Sequence, residues 1–297
     1  MARTKKATRF QRTIDIIVVT CTLVFFAYVV YQVQNVLVYK WHWSFLPEYI
    51  MRWDEETQSL MPNLLLKGLA MTLRLVVWSM ILAIIIGVIA GIARTSKRLF
   101  PRIVSRLFVE FVRNMPPVVF IFVFYFFISS QIIPLFGIDE LSVKSSPETL
   151  AVLEFLFGPK ELFSNVISGV ICLAIFEAAY ITEIVRSGIQ AIEKGQFEAG
   201  QSIGLSPWQV MRRIILPQAV QKVVPPLAGQ FITLIKDSSI VSLISIQELT
   251  FLAQEVAYST QYVFEIWIFV ALVYFCICYS LAFLFNKLEK RLSLKQI

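Results

Sequence analysis

Glu198-Ala199-Gly200-Gln201-Ser202-Ile203-Gly204, and after nine intervening residues Ile214-Ile215-Leu216-Pro217, form a polar, helix-prone stretch set between two apolar segments of membrane length. A turn opens it at Glu193-Lys194-Gly195, a second interrupts it at Gly204-Leu205-Ser206-Pro207, and Pro217 closes it. Glycine permits the tight backbone of such turns, and proline ends a helical run. This punctuation predicts two short helices lying along a membrane face, a compact knob suited to docking a soluble partner. The segments on either side settle the fold class.

The 297 residues are 57% hydrophobic and 16% charged, with mean hydropathy +0.71, too apolar for an ordinary soluble domain. Uncharged runs of about 18 residues or more can cross a hydrocarbon layer of roughly 30 Å as helices. Residues 16–39, 75–93, 114–138 and 266–286 qualify. Two further segments are interrupted by charge: 162–192 carries Glu177 and Glu183, and 218–246 carries Lys236 and Asp237. The expectation is an all-α membrane protein with six transmembrane helices. Residues 16–288 are read as one membrane domain, with the knob at 193–217 and terminal segments 1–15 and 289–297.

Lysine and arginine are shared unevenly between the connections. The N-terminal segment (Arg3, Lys5, Lys6, Arg9, Arg12), the second connection (Arg94, Lys97, Arg98, Arg102, Arg106), the fourth (Arg186, Lys194, Arg212, Arg213) and the C-terminal segment (Lys287, Lys290, Arg291, Lys295) hold 18, against Lys40, Arg52, Lys144 and Lys160 on the other side. Basic residues favour the cytoplasmic side, so both termini are expected there. Topology and contacts with anionic membrane lipid account for the net charge of +7 without nucleic acid. The basic start leads into a span followed by no small-residue cleavage site, which reads as a retained anchor.

Smaller signals fill in the organisation. Trp41, Trp43, Tyr49 and Trp53 mark an interface, with His42 a polar member of the same belt. An outer segment to Pro62 is expected to hold a short amphipathic helix. Lys67 and Arg74 are placed to snorkel near the outer end of the second span. Gly87 and Gly91 permit close helix contact within the chain. Met115-Pro116-Pro117 predicts a break. Residues 134–162 read as a polar outer connection and nothing more. Cys21, Cys172, Cys276 and Cys278 all fall in spans, with no disulfide or metal-ligand spacing.

No phosphate-cradling G-x-x-x-x-G-K-[ST], no G-x-S-x-G and no H-E-x-x-H pattern occurs. No catalytic or metal residue is therefore assigned. Charges inside spans are the natural candidates for a solute path. Glu183 and Arg186, three apart, can pair along one helix. Glu177 is turned by roughly 240° from Glu183 and belongs to another face. It either lines a central path or is a buried acid bonded to a neighbouring helix. Lys236 and Asp237 point about 100° apart and suit partners on other helices; Ser238 and Ser239 can cap a broken segment. Arg113 can receive a solute carboxylate or helix-end carbonyls.

Five segments, in order, resemble motifs of one family, the polar amino-acid permeases of binding-protein-dependent ABC importers. The knob is similar to their EAA loop, with Gly200 where alanine is commoner. Phe111-Val112-Arg113-Asn114-Met115-Pro116 resembles F-R-G-T-P, with Asn114 in place of glycine. Ala178-Ala179-Tyr180-Ile181-Thr182-Glu183-Ile184-Val185-Arg186-Ser187-Gly188-Ile189 resembles A-Y-x-A-E-x-x-R-x-G-I. Lys194-Gly195-Gln196-Phe197-Glu198-Ala199 resembles K-G-Q-x-E-A, and Leu216-Pro217-Gln218-Ala219 with Lys236-Asp237-Ser238-Ser239 completes the set. Glu177 replaces a small hydroxyl residue commoner in the family. The likeness covers about residues 64–288.

The resemblance implies a type I ABC importer permease fold in a bacterial inner membrane. It implies a second permease subunit across a central path, two cytoplasmic ABC ATPases holding ATP and Mg, an extracytoplasmic solute-binding protein and an amino-acid substrate. This chain itself would carry no cofactor. Glu198, Ala199, Gly204, Leu205, Ser206 and Arg212 are expected at the ATPase contact, and Glu177, Tyr180, Arg113 and Asp237 at the solute. The competing class is an ATPase-independent channel or carrier for small zwitterions; a membrane enzyme would need nucleophile and base, which the motifs do not supply.

Overall fold

The computed structural model describes residues 9–35, 39–138 and 145–293. Parts of the expected termini 1–15 and 289–297, and the topology residues Arg3, Lys5, Lys6, Lys144 and Lys295, lie outside the described residues. Six helices are long and apolar enough to cross a membrane. The chain separates into two units, Met1–Trp43 and Ser44–Ile297, where a single membrane domain was expected.

The first unit contains α1 (Arg9–Asn35), which starts well before residue 16. Its side chains from Arg12 to Tyr31 are exposed, because a lone helix has nothing in its own unit to pack against. The Trp41 and Trp43 rings then stack 5.7 Å apart, with Tyr39 edge-on to Trp41 at 5.2 Å. His42 lies exposed beside these rings, its Nδ1 3.4 Å from the Lys40 carbonyl.

The second unit opens with a short α2 (Leu46–Ile50) and an antiparallel hairpin, β1 (Met51–Asp54) and β2 (Ser59–Pro62), with Met51 opposite Pro62 and Asp54 opposite Ser59. The expected amphipathic helix thus shrinks to about one turn. Alternation in Met51-Arg52-Trp53-Asp54 suits a strand, and Thr57 Oγ1 closes the turn by donating to Asp54 Oδ2 at 2.7 Å. Asn63 then caps α3 (Leu64–Thr95), accepting from the Leu64 N–H at 2.9 Å and donating to the Glu48 carbonyl at 2.8 Å.

The heart of this unit is α3 packed in parallel against α7 (Phe163–Gln190). Lipid gives apolar helices no hydrophobic reason to pair, so close approach of small residues must supply the contact. Gly68, Thr72, Ser79, Ala83, Gly87 and Gly91 are all buried on α3. A methyl added at Gly87 would sit 2.6 Å from Ile181 Cγ2, and one at Gly91 2.6 Å from Val185 Cβ. Ser79 Oγ donates to the Val170 carbonyl at 3.2 Å, in the same parallel register. The Gly87/Gly91 pair therefore packs within the chain, as expected.

Between these helices lies α4 (Leu99–Arg113), read from sequence only as a basic connection. Arg98, Arg102 and Arg106 recur at helical spacing beside Leu99, Ile103 and Leu107, giving one basic and one apolar stripe. Ser105 Oγ anchors it to α3 through the Ala90 carbonyl at 2.7 Å. Arg106 and Glu110 pair at 2.7 Å, and that hydrogen bond holds the Glu110 carboxyl below its ordinary range. The chain then breaks at 114–116, as the prolines predict. Pro117 opens α5 (Pro117–Phe136) in the first turn, where a missing donor costs little. A π turn at Phe124–Ser129 brings Ser129 Oγ to Ser168 Oγ at 2.6 Å and the Tyr125 hydroxyl to Asn165 Oδ1 at 3.2 Å, both on α7.

The outer connection holds α6 (Pro147–Phe157), capped by Ser146. Its last carbonyls are taken by Arg74 Nε (to Phe155, 2.9 Å) and Trp78 Nε1 (to Leu156, 3.1 Å). Arg74 thus caps a helix end instead of snorkelling. After α7 come α8 (Lys194–Ser202), the long irregular run α9 (Pro207–Ile244), α10 (Leu249–Thr260) and α11 (Val263–Ser293). Helix α11 passes residue 288 without interruption, so no boundary falls there. Helix α10 meets α3 where Gly68 faces the Leu249 backbone; an added methyl would stand 2.8 Å from Leu249 Cα.

Candidate functional site

The knob differs from the expected pair of separate helices. Helix α8 is one; the second is the first turn of α9, which continues through a π turn (Met211–Ile215) and past Pro217 into the span. Pro217 removes one donor from the ladder, and the widened turn just before it is where such a defect is commonly absorbed. The second half of the knob is therefore continuous with the span. Gly204 turns the chain with φ +83°, a left-handed conformation that a side chain would strain. Ser206 starts α9 with a reciprocal capping box: its Oγ accepts from Gln209 N at 3.4 Å, and Gln209 Oε1 accepts from Ser206 N at 2.9 Å.

Of the six residues expected at the docking contact, Glu198, Ala199, Gly204, Ser206 and Arg212 are exposed. Leu205 is half-buried and packs inward on the core. The unusual Gly200 is buried: a methyl there would lie 2.9 Å from both Val210 Cγ2 and Ile214 Cδ1, so its absence lets α8 settle on α9. Sequence reasoning missed Ile203 and Trp208, which are 73% and 63% exposed at the tip. Two large apolar residues flanking a polar turn were the available signal.

The four residues expected at the solute come together on facing parts of α4, α7 and α9. Glu177 is fully buried, and its Oε2 accepts a hydrogen bond from Gln230 Nε2 of α9. Its Oε1 is also buried, and the Asp237 carboxyl of α9 lies within hydrogen-bonding reach of the Glu177 carboxyl. Tyr180 stands one turn further along α7, with the Arg113 guanidinium 5.1 Å from its ring centroid. Arg113, Glu177 and Asp237 all lie near enough to act electrostatically on Tyr180. The cluster runs from a buried carboxylate through half-buried Tyr180, Gln230 and Asp237 to an exposed arginine. Gln230 was missed, although it sits two turns before Asp237 on the same helix face.

Other intramembrane charges have structural partners. Glu183 forms ion pairs with Arg94 of α3 at 2.7 Å and with Arg186 at 2.8 Å, joining the α3 and α7 ends. Lys236 is exposed with no ion pair among the described residues. Ser238 and Ser239 do not cap as acceptors; their hydroxyls donate back to the Ile235 and Lys236 carbonyls at 2.8 and 2.7 Å as α9 tightens into a 3-10 turn. Glu248, also missed, is buried and binds three elements: it caps α10 through Phe251 N at 2.9 Å and accepts from Tyr274 of α11 at 3.0 Å and Thr72 of α3 at 3.3 Å. Among the described residues no His, Cys, Asp and Glu group could hold a metal.

Known proteins resemble this chain in sequence and fold. The glutamine transport system permease protein GlnP of Escherichia coli K12 is 34% identical over 78% of this chain and 94% of its own length. The L-cystine transport system permease protein TcyB of Bacillus subtilis is 32% identical over 81% and 91%. The crystal structure of an amino acid ABC transporter with histidines superposes with TM-score 0.61 at 28% identity, covering 77% of this chain and 94% of that one. The profile of the binding-protein-dependent transport system inner membrane components matches residues 83–294. This chain belongs to that family, as a multi-pass permease of a bacterial inner membrane.

Proposed function

We propose that this chain conducts amino acids as the permease subunit of an ATP-driven importer, with both termini cytoplasmic. The observation that carries the solute reading is the convergence of buried Glu177 with Asp237, Tyr180 and Arg113. Two carboxyl groups held close together in a low-dielectric setting disfavour ionisation of both, and an ammonium group approaching past half-buried Tyr180 and Asp237 would offset that cost. Asp237 lies near enough to share that charge, and Arg113 at the rim suits the carboxylate of the same molecule. The cluster therefore offers both poles that a zwitterion needs. The relatives named for glutamine and L-cystine transport support an amino acid as cargo.

The knob supplies the drive. A separate ABC ATPase, holding ATP and Mg, grips the α8 tip on each of two permease subunits, and its closure moves α9 as a rigid body. An extracytoplasmic binding protein delivers the solute at the opposite end. Reconstituted with its ATPase and binding protein, the chain is expected to show ATP turnover raised severalfold by one chemical group of amino acids. Turnover indifferent to every amino acid, with uptake persisting in the absence of ATP, would favour the carrier reading.

A further inference from the structure

A second site lies at the other side of the knob. The ends of α3 and α7, the start of α4, α8 and the first turns of α9 line an open cavity of about 520 Å³. Arg94, Arg102 and Lys194 line its rim with Thr95, Ser96 and Gln190, the rest of the lining is apolar, and no carboxylate is among the lining residues. Arg94 is already engaged by Glu183. Arg102 and Lys194 have no ion-pair partner among the described residues. Two exposed cations from two different elements, without a counter-charge beside them and facing one cavity floored by Ile189, Ile192, Phe197 and Met211, favour an anion there.

What borders the cavity says which anion. On α4, beside Arg102, the apolar residues Leu99, Phe100 and Ile103 are 61%, 79% and 42% exposed. They continue along one face through Leu107 and Phe111, both 63% exposed. A helix with one basic and one apolar stripe lies in the plane of the membrane surface. A basic pocket opening beside such a face has a headgroup site and an acyl-chain surface side by side. A soluble anion would use the first and leave the second bare.

We propose that this cavity binds the phosphate headgroup of an anionic phospholipid, with Arg102 and Lys194 on the phosphate and the acyl chains along α4. The bound lipid would bridge α4 to α8 and fasten the knob to the bundle. This rests on the end of the bundle lying at a membrane surface, and is independent of the transport reading.

The test uses the full-length chain, extracted and examined by native mass spectrometry after exchange into mixtures of phosphatidylglycerol and phosphatidylcholine. Wild type is expected to retain phosphatidylglycerol selectively. R102Q/K194Q is expected to retain at least fivefold less, whereas K97Q/R98Q, which removes equal charge from neighbouring residues outside the cavity lining, retains it like wild type. Equal loss in both double variants would reduce the effect to general surface charge and overturn the site. So would equal retention by R102Q/K194Q and wild type, or displacement of the lipid by millimolar inorganic phosphate. Thermal unfolding in phosphatidylcholine alone checks the fold: a preserved midpoint for R102Q/K194Q assigns its lipid loss to the site. A lowered midpoint moves the test to R102K/K194R, which keeps both charges and is expected to retain phosphatidylglycerol; loss there too would overturn the proposal.

Discussion

Replacing Ile203 with aspartate and Trp208 with alanine together is expected to abolish ATP-driven uptake while leaving the chain folded. Both side chains project from the tip of the knob and support nothing beneath them, so thermal stability should stay within a degree or two of wild type. Their loss falls on the partner. An aromatic anchor in the groove of a binding partner contributes about 2 kcal/mol or more, and a carboxylate beside it must be desolvated without a counter-charge. Each effect alone weakens docking by roughly 30-fold. Co-purification of the ATPase with the permease reads the first consequence and uptake by proteoliposomes the second. Undiminished co-purification would remove the tip from the contact and return it to the exposed polar residues Glu198 and Arg212.

The second large effect is expected at Glu177. Exchange for glutamine keeps the shape and the capacity to bond Gln230, and takes away only the negative charge. If the carboxylate merely ties α7 to α9, Glu177→Gln should transport normally and be as stable as wild type or more so, because a buried charge near Asp237 has gone. If it receives the ammonium group of the solute, uptake should fall at least tenfold, about 1.4 kcal/mol, with folding intact. The affinity of the binding protein, measured alongside, should not change. Glu183→Gln provides the contrast. It strands Arg94 and Arg186 between the ends of α3 and α7, so its cost should appear in stability.

The long spans were legible because nothing but a membrane explains uncharged runs of that length. Their details depended on context that the chain does not spell out locally. Pro116-Pro117 and Pro225-Pro226 are the same dipeptide. The first ends a helix and starts another; the second lies inside α9 without interrupting it. Asn114 and Met115 precede the first pair at the edge of an interfacial helix, whereas Val223-Val224 and Leu227-Ala228 continue an apolar helix around the second, where packing keeps the helix going despite two missing donors. Helix α4 was hidden by its own arginines, which read as a loop until their spacing against Leu99, Ile103 and Leu107 is noticed. The hairpin at 51–62 was short enough for its alternation to be overlooked.

The candidate site was read in part for a similar reason. Charged residues in apolar surroundings announce themselves, and Arg113, Glu177, Tyr180 and Asp237 do converge. Neutral Gln230 does not stand out, yet it bonds Glu177. Glu248 was hidden differently: its neighbours Gln247 and Thr250 make it look like a polar turn, and only the fold brings Thr72 and Tyr274 to it. At the knob, attention to a familiar pattern favoured Leu205, which faces inward, over Ile203 and Trp208, which face out. Gly200 is the one departure that packing explains directly, since Val210 and Ile214 occupy the space a methyl would need.

The central claim is that the knob at 193–217 stands on the cytoplasmic side and is covered there by an ATPase. Ile203→Cys, in a background with the four native cysteines replaced, puts one thiol at its tip. A membrane-impermeant maleimide should label it in inverted vesicles and not in intact cells, and added ATPase should shield it. Labelling from outside intact cells, or labelling in inverted vesicles that the ATPase leaves untouched, would contradict the account.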